Sequence, residues 1–179
     1  MSSEGIYHFY TISVDLCGNR EARPAVADAV TTFDTLGPTS TVEAPAYANS
    51  LPIVVRFTAS DDTSGVASTS LFYCFNGLCA QYGEPVSGTS GEFLFTPDPA
   101  VEGTYEFYTI STDNMGNTEG MVLSPEVSTV YDKTAPSSSC SSPGIATSAP
   151  FDVPYTALDN GPAGLDRVAL WFKLGSGTW

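Results

Sequence analysis

The sequence is poor in basic residues. Only 6 of its 179 residues are lysine or arginine, against 20 aspartates and glutamates, which gives a formal net charge of −14. Because a field of this sign repels phosphate backbones and anionic lipids, we expect neither nucleic acid nor a membrane surface as a partner. The acidity itself favours solubility.

Histidine is nearly absent as well. His8 is the only one, and in the repeat described below it aligns with Glu106, so we interpret it as a solvated strand residue. We therefore expect no Ser-His-Asp or Cys-His arrangement and no histidine-rich zinc site. No two acids recur together as a carboxylate pair of the kind used in glycoside hydrolysis. The sequence does not predict an enzyme.

Long apolar runs are missing too. No run approaches the roughly 20 residues that a membrane-spanning helix needs, so membrane insertion is not predicted. The opening "MSSEGIYHFY" has neither the basic nor the apolar region of a signal peptide.

Strand-forming residues and turn-forming residues are what the chain does contain. Apolar residues make up 42% and aromatic residues 12%, and 13 prolines and 16 glycines are spread without a short period. Valine, threonine and tyrosine favour strands, whereas glycine and proline end them. This composition predicts an all-β protein.

One phrase occurs twice in the chain. "GIYHFYTISVDLCGNRE" begins at Gly5 and "GTYEFYTISTDNMGNTE" begins at Gly103, 98 residues later, with 11 of 17 positions identical. The stretch from Pro38 matches the stretch from Pro136 at the same offset, with one residue inserted before Gly164. A period near 100 residues indicates one domain per repeat. We predict a complete repeat at 34–131, the C-terminal part of a preceding repeat at 1–33, and the N-terminal half of a following repeat at 132–179.

The complete repeat carries about seven strand patterns. "IVVRFTAS" (53–60) alternates apolar and polar residues, "VASTSLFYCF" (66–75) supplies the next strand, and the Asn76-Gly77 pair is a strong hairpin signal. "GEFLFTP", "TYEFYTIST", an earlier "STVEA" and a last strand after residue 117 complete the set. Several short strands with turns between them in about 98 residues predict a β-sandwich.

The motifs "DTLGPTS", "DKTAPSSS", "FTASDDTSGV" and "GTYEFYTISTDNMGN" together resemble tandem bacterial immunoglobulin-like repeats of large exported proteins, which are similar in architecture to fibronectin type III domains. The resemblance implies an immunoglobulin-like sandwich in an extracellular or cell-surface array, with neighbouring repeats as its partners. The expected function is that of a non-catalytic spacer or adhesion module. The alternative is an accessory module that binds carbohydrate or protein beside a secreted enzyme, for which Tyr10 and Tyr108 are the candidate exposed aromatics.

Three aspartates are the candidates for binding a metal. Asp113 opens an Asp-x-x-Gly-Asn turn, and Asp61 and Asp62 lie in a loop expected at the same pole of the sandwich. Carboxylates are ligands for calcium, but the spacing is not that of an EF-hand. The other interpretation is that Asp113 bonds turn amides while Gly116 takes a positive φ. No cofactor is predicted, and calcium at a domain junction is the one to test.

The four cysteines fall into two groups. Cys74 and Cys79 flank the Asn-Gly hairpin, face each other across it, and are predicted to form a disulfide; two free thiols are the alternative. Cys17 and Cys140 align with Met115 and Val42 of the complete repeat. We consider a bridge between these two positions in other copies as a hypothesis.

Overall fold

The computed structural model describes residues 3–120 and 124–177, which form strands and turns and no helix. Within these two ranges, therefore, nothing helical has the length and apolar character to span a bilayer. The strands are β1 (Gly5–Phe9), β2 (Ala29–Phe33), β3 (Thr39–Glu43), β4 (Tyr47–Ala48), β5 (Ile53–Ser60), β6 (Val66–Phe75), β7 (Leu78–Ser87), β8 (Ser90–Phe95), β9 (Gly103–Asp113), β10 (Val127–Tyr131), β11 (Ser137–Cys140) and β12 (Tyr155–Leu158).

Two sheets form the central domain, the name used here for residues 34–131. One sheet has the strand order β4-β10-β9-β6-β7 and the other β3-β5-β8. Neighbouring strands are antiparallel except for the short parallel pair of β4 and β10. Their inner faces share one core, which gives a sandwich-like, all-β arrangement.

The core comes from the residues that the alternating patterns predict. Ile53, Val55 and Phe57 on β5 are buried, whereas Arg56 between them is exposed. The β8 and β9 aromatics complete the interior, where the Phe95 ring lies 4.9 Å from the Phe107 ring. The predicted interior face of β5 is confirmed.

The hairpin between β6 and β7 also forms as predicted. Asn76 and Gly77 both take positive φ, at 52° and 78°, which a two-residue turn of this kind requires. Cys74 then lies opposite Cys79 and is bonded to it, with 4.0 Å between the Cα atoms.

The first and last strands of the central domain meet its flanking segments at opposite poles. β9 runs from one pole to the other, and its 11 residues span about 33 Å at the usual strand rise. The entry near Pro38 lies beside the end of β9, while the exit at Tyr131 pairs with Gly103 at its start.

Each flanking part forms a separate two-stranded sheet. The N-terminal segment, defined as residues 3–33, pairs β1 with β2, and the C-terminal segment, residues 132–177, pairs β11 with β12. At the offset of the repeat, residues 165–174 are the counterpart of β6, but they belong to no strand. In the central domain β6 is held between β7 and β9, and its counterpart has no such neighbours.

Candidate functional site

A junction joins the N-terminal segment to the central domain at Asp34. This side chain is buried, with Oδ1 accepting the Leu36 N–H at 3.2 Å and Oδ2 accepting the Ser64 N–H at 3.1 Å. Asn117 Nδ2 donates to the Asp34 carbonyl oxygen at 3.3 Å. The hydrogen bonds of this aspartate therefore connect the first linker, residues 34–38, to two loops of the central domain; the second linker is residues 132–136.

Glu4 fixes the same linker from the N-terminal side. Its Oε1 accepts the Thr35 N–H at 3.0 Å and the Thr35 hydroxyl at 2.6 Å. Glycine is needed two residues later, because a Cβ at Gly37 would overlap the carbonyl of Thr118. The first linker is thus hydrogen-bonded to both the N-terminal segment and the central domain, and it packs closely against Thr118.

The second junction repeats these contacts 98 residues later. Asp132 accepts the Thr134 N–H at 2.9 Å and the Ala163 N–H at 2.8 Å, as Asp34 does with Leu36 and Ser64. Glu102 accepts the Lys133 N–H at 2.9 Å, as Glu4 accepts the Thr35 N–H, and it also accepts the hydroxyl of Thr134, one position later than the hydroxyl that Glu4 accepts. The two junctions are built in the same way.

The motifs "DTLGPTS" and "DKTAPSSS" contain Asp34 and Asp132, but neither these two aspartates nor Glu4 and Glu102 were predicted as site residues. The signal was present, because Asp34 and Asp132 share the 98-residue spacing, as do Glu4 and Glu102. Recurrence at the repeat period is therefore the sequence signal that identifies all four acids.

The predicted metal candidates divide between two locations. The structure brings Asp61 and Asp113 together with Asp34, with one carboxylate oxygen of each residue within 4.8 Å of the others. Asp62 is exposed and lies outside this group. The loops of residues 61–65 and 113–117 do share a pole, since Asn114 Nδ2 donates to the Ser64 carbonyl at 2.8 Å.

Backbone amides already bond to the carboxylates of this group. Asp61 Oδ2 accepts the N–H groups of Thr63, Ser64 and Gly65 at 3.1, 2.8 and 2.6 Å. Asn114, the residue after Asp113, donates from its amide nitrogen to the carbonyl oxygens of Ser64 and Gly65. The contacts are those of turns in which a carboxylate replaces a backbone acceptor.

The turn interpretation of Asp113 fits its hydrogen bonds. Its Oδ1 accepts the Met115 and Asn117 N–H groups, both at 2.8 Å, its Oδ2 accepts Asn117 Nδ2 at 2.7 Å, and Gly116 has a φ of 92°. Asp15 makes the same bonds at the earlier copy of the phrase. The repeated Asp-x-x-Gly-Asn sequence therefore encodes a repeated turn.

These bonds shift the acidity of Asp113. Burial raises the pKa of its carboxyl group, but the hydrogen bonds from Asn117 and Met115 outweigh burial and hold the pKa below its ordinary value. A group with a lowered pKa in the folded state stabilises the fold above its unfolded pKa, about 3.9. That contribution is lost as pH falls through the folded pKa.

We predict that Asp113→Asn lowers the melting temperature of the central domain near neutral pH. The amide cannot accept the same three bonds, and the gap between variant and wild type should close as pH drops below the ordinary carboxyl range. Circular dichroism melts over a pH series measure this. Asp15→Asn, the same change in the N-terminal segment, is the control and should leave the central melt unchanged. A gap of equal size at all pH values would contradict the prediction.

A calcium titration separates the two interpretations of the acidic group. We expect about 1 mM calcium to leave the melting temperature unchanged, because amide donors already bond to all three carboxylates. Magnesium is the matched control for ionic strength. A rise with calcium alone that Asp61→Asn abolishes would show instead that the group binds the ion.

The remaining cysteines are free and exposed. In the central domain, Val42 N–H and Thr109 N–H donate to the same carboxylate, that of Glu126. Val42 therefore lies near Thr109. Thr109 is four residues, about 13 Å, before the last residue of β9, and Met115 follows that last residue. This register does not favour the hypothesis of a bridge between the positions of Val42 and Met115.

The two candidate exposed aromatics, Tyr108 and Tyr10, each contact another side chain. Tyr108 stacks on Phe72 on the outer face of the five-stranded sheet, with 5.0 Å between the ring centroids. The Arg23 guanidinium lies over the Tyr10 ring, 5.2 Å from the ring centroid. His8 lies exposed on β1 opposite Val30, as expected for a solvated strand residue.

An open acidic groove lies beside the second junction. Its lining includes Glu43, Asp132, Asp159 and Asp166, together with Arg56. Two of these carboxylates bond to backbone amides, Asp132 as described and Asp159 to the Gly161 N–H at 3.1 Å. Sequence reasoning did not anticipate this concave surface, since its residues come from distant parts of the chain.

Comparison with known proteins yields no matching family model and no matching curated protein.

Proposed function

We propose that the protein is a non-catalytic spacer or adhesion module of a tandem immunoglobulin-like array in an exported protein. The observation that supports this is the repetition of the junction: Asp34 with Glu4, and Asp132 with Glu102, bond their linkers in the same pattern. Each linker is hydrogen-bonded to both of the units that it joins, so it keeps these two units in a fixed relative orientation. In an array, junctions of this kind hold the two ends of the array at a fixed distance from each other.

The free cysteines provide the test without any added labelling site. Cys17 lies in the N-terminal segment and Cys140 in the C-terminal segment, both exposed, whereas Cys74 and Cys79 are protected by their bond. Spin labels on Cys17 and Cys140 report the distance across the central domain by pulsed electron resonance. In dilute solution we expect one narrow distance distribution.

Removing a junction acid should broaden that distribution. Asp34→Ala and Asp132→Ala each free one linker, while Asp62→Ala, which removes an exposed acid outside the junctions, should change nothing. A broad distribution in the wild type, or one that neither junction variant alters, would rule out the rigid-spacer function.

The alternative is a carbohydrate- or protein-binding accessory module. The stacked pair of Phe72 and Tyr108 on the outer sheet face favours it, because aromatic surface suits sugar rings. Amide chemical-shift changes around Tyr108 on addition of soluble oligosaccharides, lost in Tyr108→Ala, would support this alternative over the spacer.

A further inference from the structure

A gap in the strand pairing separates β3 from the C-terminal half of β9. β10 pairs with β9 only as far as Phe107, so in the described part of the chain no strand pairs with Thr109 and Ser111 on that edge. β3 lies on the other side of the gap and pairs with β5 alone. The N–H groups of the two facing edges therefore need acceptors other than a strand.

Glu119 bridges this gap. Its carboxylate accepts the Ser40 N–H of β3 at 2.7 Å and the Ser111 N–H of β9 at 3.1 Å. Its own N–H donates to the Ser111 carbonyl oxygen at 2.9 Å. Glu119 is therefore held to β9 by two bonds, while its Oε1 atom bonds to β3.

Glu126 bridges the gap in the same way, nearer the middle of β9. Its carboxylate accepts the Val42 N–H at 3.0 Å and the Thr109 N–H at 3.4 Å, and its own N–H donates to the Phe107 carbonyl oxygen at 2.9 Å. Charged acceptors make stronger hydrogen bonds than neutral ones. The two carboxylates thus occupy the place that a strand would take between β3 and β9.

The same register continues from β3 into β4. Five residues after Val42, and five residues before Thr109 on β9, Tyr47 and Thr104 lie on either side of Val130. β10 therefore takes over where the carboxylates end. Donors of residues 129–132 bond to carbonyl oxygens of residues 45–48 at 2.7 to 2.9 Å. We call residues 39–48 the leading edge, which is bonded to the five-stranded sheet at both of its ends.

The N-terminal segment repeats the acidic positions at the repeat spacing. Glu21 and Asp28 align with the two bridging glutamates. They accept the N–H groups of Ser13 and Thr11 at 3.0 and 2.8 Å. Acids bonded to this strand are therefore a feature of the repeat and not of one copy.

The path of the chain determines how tension would act on the leading edge. The chain enters near Pro38 at the pole where β9 ends and leaves at Tyr131 at the opposite pole. A pull on both linkers draws the leading edge toward the first pole and β10 toward the second. Because β4 and β10 are parallel, they slide past each other, and the bonds of the leading edge are strained together. Bonds strained together resist a pull better than bonds that open one after another, because no single bond carries the whole load.

We propose that the central domain bears tension between its two neighbours, and that Glu119 and Glu126 transfer this load from β3 to β9. This inference deepens the spacer function and rests on it, because the tension enters through the two linkers. It assigns a mechanical role to two carboxylates that replace a stretch of strand.

Stretching single molecules of the full chain in two directions tests the proposal. DNA handles on the exposed thiols of Cys17 and Cys140 load the central domain from linker to linker in optical tweezers. In a Cys17→Ser, Asp62→Cys chain, one handle is attached instead to the exposed loop between β5 and β6. The load then passes from β6 through β9 to β10 over backbone ladders, and β3 lies outside this path.

Loss of a bridging carboxylate should weaken the domain in one direction. Glu119→Ala and Glu126→Ala should each raise the unfolding rate at a fixed force about tenfold from linker to linker, because each removes a charged acceptor of β3. In the second direction the increase should be several times smaller. Glu92→Ala is the matched control, since Glu92 pairs with Arg56 outside the leading edge, and it should change neither rate.

The comparison of directions separates load transfer from simple stabilisation. An equal increase of the unfolding rate in both directions, or no increase from linker to linker, would overturn the proposal. If Glu119→Ala does not fold, Glu126→Ala and the milder Glu119→Gln make the same comparison.

The distance distribution between Cys17 and Cys140 keeps this proposal distinct from the spacer function. A narrow distribution with direction-independent rates rejects load transfer by the glutamates and leaves the spacer function standing. A broad distribution with direction-dependent rates rejects the rigid spacer and leaves load transfer as a property of the central domain.

Discussion

Phe95→Ala is expected to lower the free energy of unfolding of the central domain by about 3 to 5 kcal/mol. The Phe95 ring is fully buried at the end of β8, and it contacts the rings of Tyr73, Tyr82, Tyr105 and Phe107 at centroid distances of 4.8 to 5.3 Å. Truncation removes the hydrophobic transfer energy of the ring and leaves a cavity that four large neighbours cannot close without moving.

Urea denaturation followed by tyrosine fluorescence measures this loss. Leu94→Ala is the matched control, because Leu94 is the preceding residue on the same strand but is 54% exposed and points to solvent. We expect its effect to be several times smaller. Equal losses for the two variants would mean that the face of β8 has been assigned wrongly.

The sequence predicted the strands of the central domain well because local pattern and tertiary structure agree there. Ile53, Val55, Phe57 and Ala59 fall on one face only if the segment is a strand, and β5 has the bounds Ile53–Ser60. The Asn-Gly turn fixed the register of β6 and β7, and with it the contact between Cys74 and Cys79. These features depend on neighbours within a few residues.

Prediction failed where a strand depends on distant partners. β4 has two residues, Tyr47 and Ala48, and exists only because β10 pairs with them some 80 residues later in the chain. Residues 165–174 carry the β6 pattern without forming a strand, since a strand also requires neighbours to bond its backbone.

The candidate site shows the same division. The turn at Asp113 is local, and its hydrogen bonds could be predicted from Asp-x-x-Gly-Asn. The approach of Asp34 to Asp61 and Asp113 could not, because Asp34 belongs to a linker whose position depends on the packing of both loops at the pole. Sequence therefore predicts the turns, and only the fold brings them together.

Glu119 is expected to be the most important charged residue for holding the two sheets together. It lies in neither sheet, yet its carboxylate accepts the N–H of Ser40 on β3 and of Ser111 on β9, in addition to the Ser40 hydroxyl. Ser111 is fully buried, so its N–H has no access to water if the carboxylate is removed. An unsatisfied buried donor costs about 1 to 3 kcal/mol.

Glu119→Ala should therefore lower the free energy of unfolding by about 2 to 4 kcal/mol, since it removes the acceptor of both strands. Glu119→Gln retains a carbonyl acceptor and should lose less. Glu21→Ala is the matched control: Glu21 occupies the same place in the repeat but bonds only the Ser13 N–H, so the central domain should unfold as in the wild type. Urea denaturation gives all three values, and hydrogen exchange at the Ser40 and Ser111 amides should accelerate in Glu119→Ala alone. If Glu119→Ala were no more destabilising than Glu21→Ala, water would already be satisfying these amides and the carboxylate bridge would contribute nothing.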